Sequence, residues 1–411
     1  MNANDRRTDD VRDELTPITT TEALAALCDE FARAPFVTVD TEFLRETTFY
    51  PKLCLIQIAS PDRAAIVDPL APGLDLGPFY DLMSDREVMK VFHAARQDVE
   101  IIYNGSGRVP VPLFDTQIAA MVLGYGDQIA YDQLVLRVTG ARIDKSSRFT
   151  DWSRRPLSEK QLAYALGDVT HLRDVCRELA AKLAERGRDG WVEEEMRVLT
   201  APETYDMAPE DAWQRLKMRL RKPEELAVMR AVAAWRERTA RSRDVPRNRV
   251  IKDDAIYEIA QQRPRDAEGL GRLRTVSEGV ARSRSGSEIL AALDKALSQP
   301  REDMPRLPRR EAVPEWVAPG VELLKVLLKI VAEREGVVPR LVATNDELEQ
   351  LAHRGSEAEV RALDGWRHDL FGRLALELLN GSLALRFVEG RIDVARVAAE
   401  PDAEIPLAST G

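Results

Sequence analysis

The sequence predicts an α/β domain, a mixed sheet flanked by helices, followed by two small all-α helical domains. Three observations predict it. Between Val37 and Val67, apolar strand-like runs are joined by short turn signals, which is the pattern of an antiparallel meander. Strand-like and helix-like segments then alternate, which adds covering helices to a mixed sheet. From Glu210 onward the apolar residues recur at helical spacing. At 411 residues the chain is too long for one typical core, so two or three domains are expected.

Composition narrows the class. Hydrophobic content of 44% and charged content of 31% describe an ordinary globular protein rather than a disordered one. Met1 to Glu14 mixes Arg6, Arg7 and Arg12 with acids and has no apolar segment, so a secretory signal is not expected. The best candidate span, Val321 to Ala332, is broken by Glu322, Lys325 and Lys329, which argues against a membrane helix. A soluble, cytoplasmic protein is expected. Cys28, Cys54 and Cys176 are few and far apart, and each reads as a small buried hydrophobe. The net charge of −10 is uneven. Residues 15–195 carry 20 basic and 28 acidic residues, residues 209–298 carry 20 and 14, and residues 299–411 carry 15 and 20. The middle segment alone is basic, which suits contact with phosphates.

Thr21 to Arg33 places Leu24, Leu27, Cys28 and Phe31 at helical spacing. In Val37-Thr-Val-Asp-Thr-Glu-Phe43 apolar residues alternate with polar ones, so the segment reads as a strand whose Asp40 and Glu42 project to one side. Leu53 to Ala59, a run containing Gln57, and Ala64 to Val67 read as strands two and three, separated by Ser60-Pro-Asp-Arg63. Val88 to His93 reads as a further strand, Arg96 to Tyr103 as a helix, and Leu113 to Asp115 as a strand end feeding a helix at Thr116. A long helix runs from Ser158, its cap, to about Leu183.

Two carboxylates held side by side repel, and a hard divalent cation such as Mg²⁺ or Mn²⁺ is the usual remedy for an all-oxygen site. Asp40-x-Glu42 alone is weak, since 69 acids in 411 residues give about a dozen such pairs by chance. Two more acids complete a set. Asp98 lies in the first turn of its helix, and Tyr164 and Asp168 are four apart on one face of the long helix. Among the eight tyrosines only Tyr164 has an acid four residues on.

Asp40-Thr-Glu42, Phe92-His-Ala-Ala-Arg-Gln-Asp98 and Tyr164-Ala-Leu-Gly-Asp168 resemble, in order, the three motifs of the DEDD exonuclease superfamily in its tyrosine branch. The histidine branch carries its residue five before the last Asp, a position occupied here by Ala163. Asp151-Trp-Ser-Arg-Arg-Pro-Leu-Ser158 and the helical segments beyond look like the ribonuclease D family in particular. The resemblance covers about residues 15 to 390 and implies a ribonuclease H-like fold and metal-dependent hydrolysis of RNA from its 3′ end. It further implies release of nucleoside 5′-monophosphates, with tRNA precursors as the substrate class. On the family's pattern Asp40 bridges two cations, Glu42 and Asp168 complete the nucleophile side, Asp98 serves the other side, and Tyr164 orients the attacking water. A phenol is too weak an acid to be an efficient base at neutral pH, so positioning suits it better.

Other residues carry open alternatives. Phe43 is a candidate to stack on the terminal base, with core packing as the alternative. Arg148, Arg154 and Arg155 can meet phosphates or line a solvated loop. Asp115 reads as a helix cap and His93 as structural. Arg236 to Arg249 carries six arginines against two acids, too few to pair them, so phosphate contact by Arg241, Arg243, Arg247 and Arg249 is expected over the alternative of a solvated, salt-bridged helix end.

The domain boundaries follow. Residues 1–14 read as a flexible terminus, 15–195 as the exonuclease domain, and 209–298 as a helical domain resembling the helicase and ribonuclease D C-terminal (HRDC) module. Pro300, Pro305, Pro308 and Pro314 mark a stiff linker over 299–314. Residues 315–390 look like a second, divergent copy, and 391–411 like a tail. Two other readings stay open: a general exonuclease acting on RNA and DNA, and an RNA-binding scaffold whose nuclease domain has decayed. Retention of all four acids and Tyr164 counts against the scaffold.

Overall fold

Helix α1 (Thr21–Phe31) starts where the Thr20 side chain accepts a hydrogen bond from the Ala23 amide, and it buries Leu24, Leu27, Cys28 and Phe31. A five-stranded sheet follows, formed by β1 (Phe36–Leu44), β2 (Lys52–Ala59), β3 (Ala64–Val67), β4 (Met89–Phe92) and β5 (Leu113–Asp115) in the order β3-β2-β1-β4-β5. β1, β2 and β3 pair antiparallel, while β1, β4 and β5 pair parallel. The sheet is therefore mixed, and the parallel half needs crossovers. Helix α2 (Gly77–Ser84) carries the chain from β3 to β4, and α3 (Arg96–Ser106) from β4 to β5. β1 lies at the centre, with Val37 and Val39 fully enclosed. This computed structural model describes residues 15–144, 147, 150–217, 220–300, 302–307 and 314–397. Arg148, the segment 1–14 and the last part of the expected tail lie outside them.

Helix α4 (Thr116–Val122), α5 (Tyr131–Thr139) and the 28-residue α6 (Glu159–Arg186) complete the first region, and α7 (Asp189–Leu199) follows. α6 covers the β1–β2–β3 half of the sheet. Leu162, Ala165, Leu166 and Val169 share an apolar cluster with Leu55, Ala59, Ala64 and Ile66. The Thr38 hydroxyl, on the same side of β1, donates to the Val169 carbonyl at 2.8 Å.

Residues 223–297 form α8 (Pro223–Arg243), α9 (Arg247–Val250), α10 (Asp253–Gln262), α11 (Ala267–Gly271), α12 (Glu278–Ala281) and α13 (Arg284–Leu297). Val228, Val232, Ile256, Ile259 and Ile289 are fully buried in their common core. Beyond residue 314 come α14 (Val317–Glu335), α15 (Pro339–Val342), α16 (Asn345–Arg354), α17 (Gly365–Arg367) and α18 (Arg373–Leu379), with a single π turn between the last two.

The chain does not end all-helical. β6 (Leu383–Val388) and β7 (Arg391–Arg396) form an antiparallel hairpin, where the sequence suggested a helical end and a tail. Glu389 and Gly390, both at positive φ, make its two-residue turn. The alternation Leu383, Leu385, Phe387 is short and lies behind a helix, which hides it from a helical-period reading.

The chain divides into two compact units that cut across the expected boundaries. One contains the segments ending at Thr116, Val135–Glu178 and 193–309; the other contains Gln117–Leu134, Leu179–Val192 and the segment after 309. Inside the second unit the Val338 amide donates to the Met121 carbonyl at 3.1 Å, and Arg188 donates to the carbonyls of Val122 and Glu335. The Trp191 and Trp366 rings stack at 4.2 Å and 8°. Among the described residues no helix is long and apolar enough to cross a membrane.

Candidate active site

Strand alternation delivers Asp40 and Glu42 to the α6 side of β1, where Thr38 already meets that helix. From α6, Asp168 arrives at the same place. Carboxylate oxygens of Asp40, Glu42 and Asp168 all lie within 4.8 Å of one another. Asp98, in the first turn of α3, is buried and accepts a 2.5 Å hydrogen bond from the Thr41 hydroxyl, the residue between the two strand acids. Tyr164, one turn before Asp168 on α6, bonds to the Asp168 carboxylate through its hydroxyl. Its ring lies 6.1 Å from that of the buried Trp152.

Burial and mutual repulsion disfavour negative charge on this grouping. Burial, then the charge of Asp168, pushes the Asp40 carboxyl well above its usual range. Burial, then Asp40, Asp168 and Asp98, raises Glu42 to about 9. Burial raises Asp168 to about 7 against the opposing hydrogen bond from Tyr164, and burial followed by Asp40 raises Asp98. Burial and the three neighbouring acids hold the Tyr164 hydroxyl further above its ordinary value, so it stays protonated. Several acids pressed together, with no basic side chain among the groups that shift them, match a hard divalent cation by donor type and charge.

The remaining candidates separate. Asp115 is buried and accepts from the amides of Ala94 and Ala95 at 3.0 and 2.8 Å, so it caps the entry to α3. His93 Nδ1 lies 3.0 Å from the Thr116 hydroxyl, which donates to the Phe92 carbonyl. Phe43 is half-exposed at the end of β1, with the Arg45 guanidinium 5.0 Å from its ring centre. Arg154 is exposed and pairs with Asp151, three residues before it.

Three of the candidate phosphate contacts are engaged within the protein. Arg155 donates twice to Asp68 at 2.6 Å and also to the Cys54 carbonyl, so it staples the third-motif loop to the sheet. Arg247 forms two bonds with Glu237, whose side chain is 1% exposed, and Arg241 pairs with Glu237 and Asp206. Arg247 also lies over the Phe49 ring at 4.4 Å. Counting acids within residues 236–249 includes Glu237 but does not show that this one buried carboxylate serves several guanidiniums, and it misses Asp206, which pairs with Arg241 from outside the segment. Arg243 and Arg249 remain exposed. Sequence reasoning passed over Thr41, and an apolar–polar alternation carries no signal that could have singled it out.

Comparison with known proteins agrees with this geometry. The 3′-5′ exonuclease family profile matches residues 15–184, and the HRDC domain profile matches residues 225–293. Ribonuclease D of Nitrobacter hamburgensis is 56% identical over 375 residues, covering 91% of this chain and 98% of the relative. Ribonuclease D of Bartonella henselae is 46% identical, covering 92% and 93%. The crystal structure of Escherichia coli RNase D, an exoribonuclease involved in structured RNA processing, superposes with a TM-score of 0.78 at 30% identity, covering 89% of this chain and 98% of that one. The chain belongs to the ribonuclease D family of 3′-5′ exoribonucleases.

Proposed function

We propose that this chain trims the 3′ ends of structured RNA in the cytoplasm, with tRNA precursors carrying 3′ extensions as its substrates, and releases nucleoside 5′-monophosphates. The observation that carries the site is the convergence of Asp40, Glu42 and Asp168 oxygens within 4.8 Å. With Asp98 they would hold two divalent cations, Mg²⁺ or Mn²⁺. Such cations, when bound, supply Lewis-acid polarisation of the phosphoryl group and of water for an in-line displacement.

The chain's own residues do the rest. Asp40 and Glu42 present oxygens from a rigid central strand, and Asp168 does so from a helix packed across it, which holds them in place without reorganisation. Tyr164 keeps its proton at neutral pH. Its hydroxyl therefore orients a water and the Asp168 carboxylate rather than accepting a proton. Phe43 stacks on the terminal base, since an aromatic face accepts any base. Arg154, Arg243 and Arg249, exposed and weakly engaged, meet phosphates. Residues 15–195 are proposed as the catalytic domain, 209–298 and 315–390 as helical RNA-handling domains joined by the linker 299–314.

The test uses a 5′-labelled tRNA with a 3′ extension, its mature counterpart and a DNA strand of the extension sequence. Shortening of the extended tRNA to near mature length, with nucleoside 5′-monophosphates as products and the DNA spared, is expected. Equal shortening of the DNA would move the assignment to a general exonuclease. Binding without shortening under either cation would leave a scaffold.

A further inference from the structure

Among the described residues, Gln57 alone has both polar atoms of its side chain buried and without a hydrogen-bond partner. It is fully enclosed, in the middle of β2. A buried amide left unmet costs about 1–3 kcal/mol, and an apolar residue would serve packing better at that position. An unmet polar group in an otherwise apolar strand therefore calls for a use.

The register supplies one. Gln57 is the direct cross-strand partner of Asp40 in the antiparallel β1–β2 pair. Directly opposed residues project to the same face, with Cβ atoms about 4.5–5.5 Å apart. That face is the one covered by α6. The other residues around it on that face are mostly apolar. Ile66 stands opposite Gln57 on β3, Leu55 and Ala59 flank it along β2, and these three share an apolar cluster with Ala165 and Val169 of α6. The Thr38 hydroxyl gives its one hydrogen to the Val169 carbonyl and can offer Gln57 only an acceptor. What remains on this face is the carboxylate cluster, with Asp40 next to Gln57.

We propose that Gln57 is a positioning residue for Asp40, its side-chain N–H donating to the Asp40 carboxylate and holding it in the orientation that receives a divalent cation. This rests on the reading of Asp40 as a cation ligand. A carboxylate that gives one lone pair to a cation keeps others for a neighbouring donor, and such supporting hydrogen bonds set the ligand's direction. An amide suits the position because it is a neutral donor: it directs the oxygen without neutralising the charge the cation needs.

The experiment measures Mn²⁺ binding to the full chain by electron paramagnetic resonance, together with melting temperature in chelator and the rate of RNA shortening as a function of Mn²⁺. Wild type is compared with Gln57→Met and, as a second apolar replacement should the first fold poorly, Gln57→Leu. Removing a supporting hydrogen bond of this kind weakens cation affinity by about 10–100-fold. The variants are therefore expected to bind Mn²⁺ that much more weakly, to shift the rate curve to higher Mn²⁺ with recovery near saturation, and to melt no lower than wild type in chelator. Wild-type affinity in a variant with a raised melting temperature would show that the amide is merely unmet and would overturn the proposal. A rate deficit that saturating Mn²⁺ does not relieve, with affinity unchanged, would also overturn it. Absence of Mn²⁺ binding by wild type would overturn the cation reading of the site itself, and this proposal with it.

Discussion

The carboxylates of the site are worked against by the fold that holds them. Folding raises Asp168 to about 7 and Glu42 to about 9, burial being the first cause in both. Each group binds more protons folded than unfolded between its ordinary carboxylate value and its raised one, so stability falls as pH rises through that window. In chelator the melting temperature is expected to fall from about pH 5 to about pH 9, and excess Mg²⁺ is expected to flatten the slope by favouring the ionised forms. A flat profile in chelator would contradict the burial of these acids. Tyr164→Phe is expected to lower kcat by about 10²-fold while RNA affinity holds, the loss expected when a reactant is no longer held in place; unchanged kcat would remove Tyr164 from the site. These residues are legible in the sequence because alternation and i, i+4 spacing are local rules. Arg155 and Arg247 are not, because Asp68 stands 87 residues from Arg155, and Glu237 is a buried hub rather than a solvated acid.

At the scale of elements, β1 is set by its neighbours. Its partner β4 carries Lys90, a fully buried lysine whose ammonium donates to the carbonyls of Asp85, Val88 and Val111. Lys90 ties the β4 entry to the segment before β5, which fixes the parallel half of the sheet. Lys90→Met leaves three carbonyls without a donor and is expected to lower stability by about 3 kcal/mol, read by urea unfolding; a neutral result would show that these carbonyls find other partners. The sequence marks Val88 to His93 as a strand but gives no sign that its lysine points inward, since strand period alone does not say which face is covered. The C-terminal hairpin is missed for a related reason. Its partner strands lie only two residues apart and present Phe387 at 75% exposure, so no apolar face announces them.

Across the whole molecule, chain order and compactness part company. The mixed sheet and the two helical regions were legible from periodicity, whereas the grouping of Gln117–Leu134 and Leu179–Val192 with the C-terminal region depends on pairings such as Trp191 with Trp366, 175 residues apart and silent in a local reading. A Cβ added at Gly124, at positive φ, would lie 2.5 Å from the Gly336 carbonyl in that unit. Trp366→Ala is expected to cost about 3–5 kcal/mol by loss of a buried ring, lowering the melting temperature of the whole chain; an unchanged melt would show that the stack carries no weight. We propose that Asp40, Glu42 and Asp168 give up stability to make a cation-dependent nuclease. It is tested most directly by following 3′ shortening of a 5′-labelled RNA in Mg²⁺ by wild type and Asp40→Asn, alongside their melting temperatures in chelator. The expected result is loss of shortening in the variant by about 10³-fold or more, with a melting temperature equal to or above that of wild type, because one of several repelling acids is gone. Shortening that persists in Asp40→Asn, or a variant that loses activity only by unfolding, would contradict it.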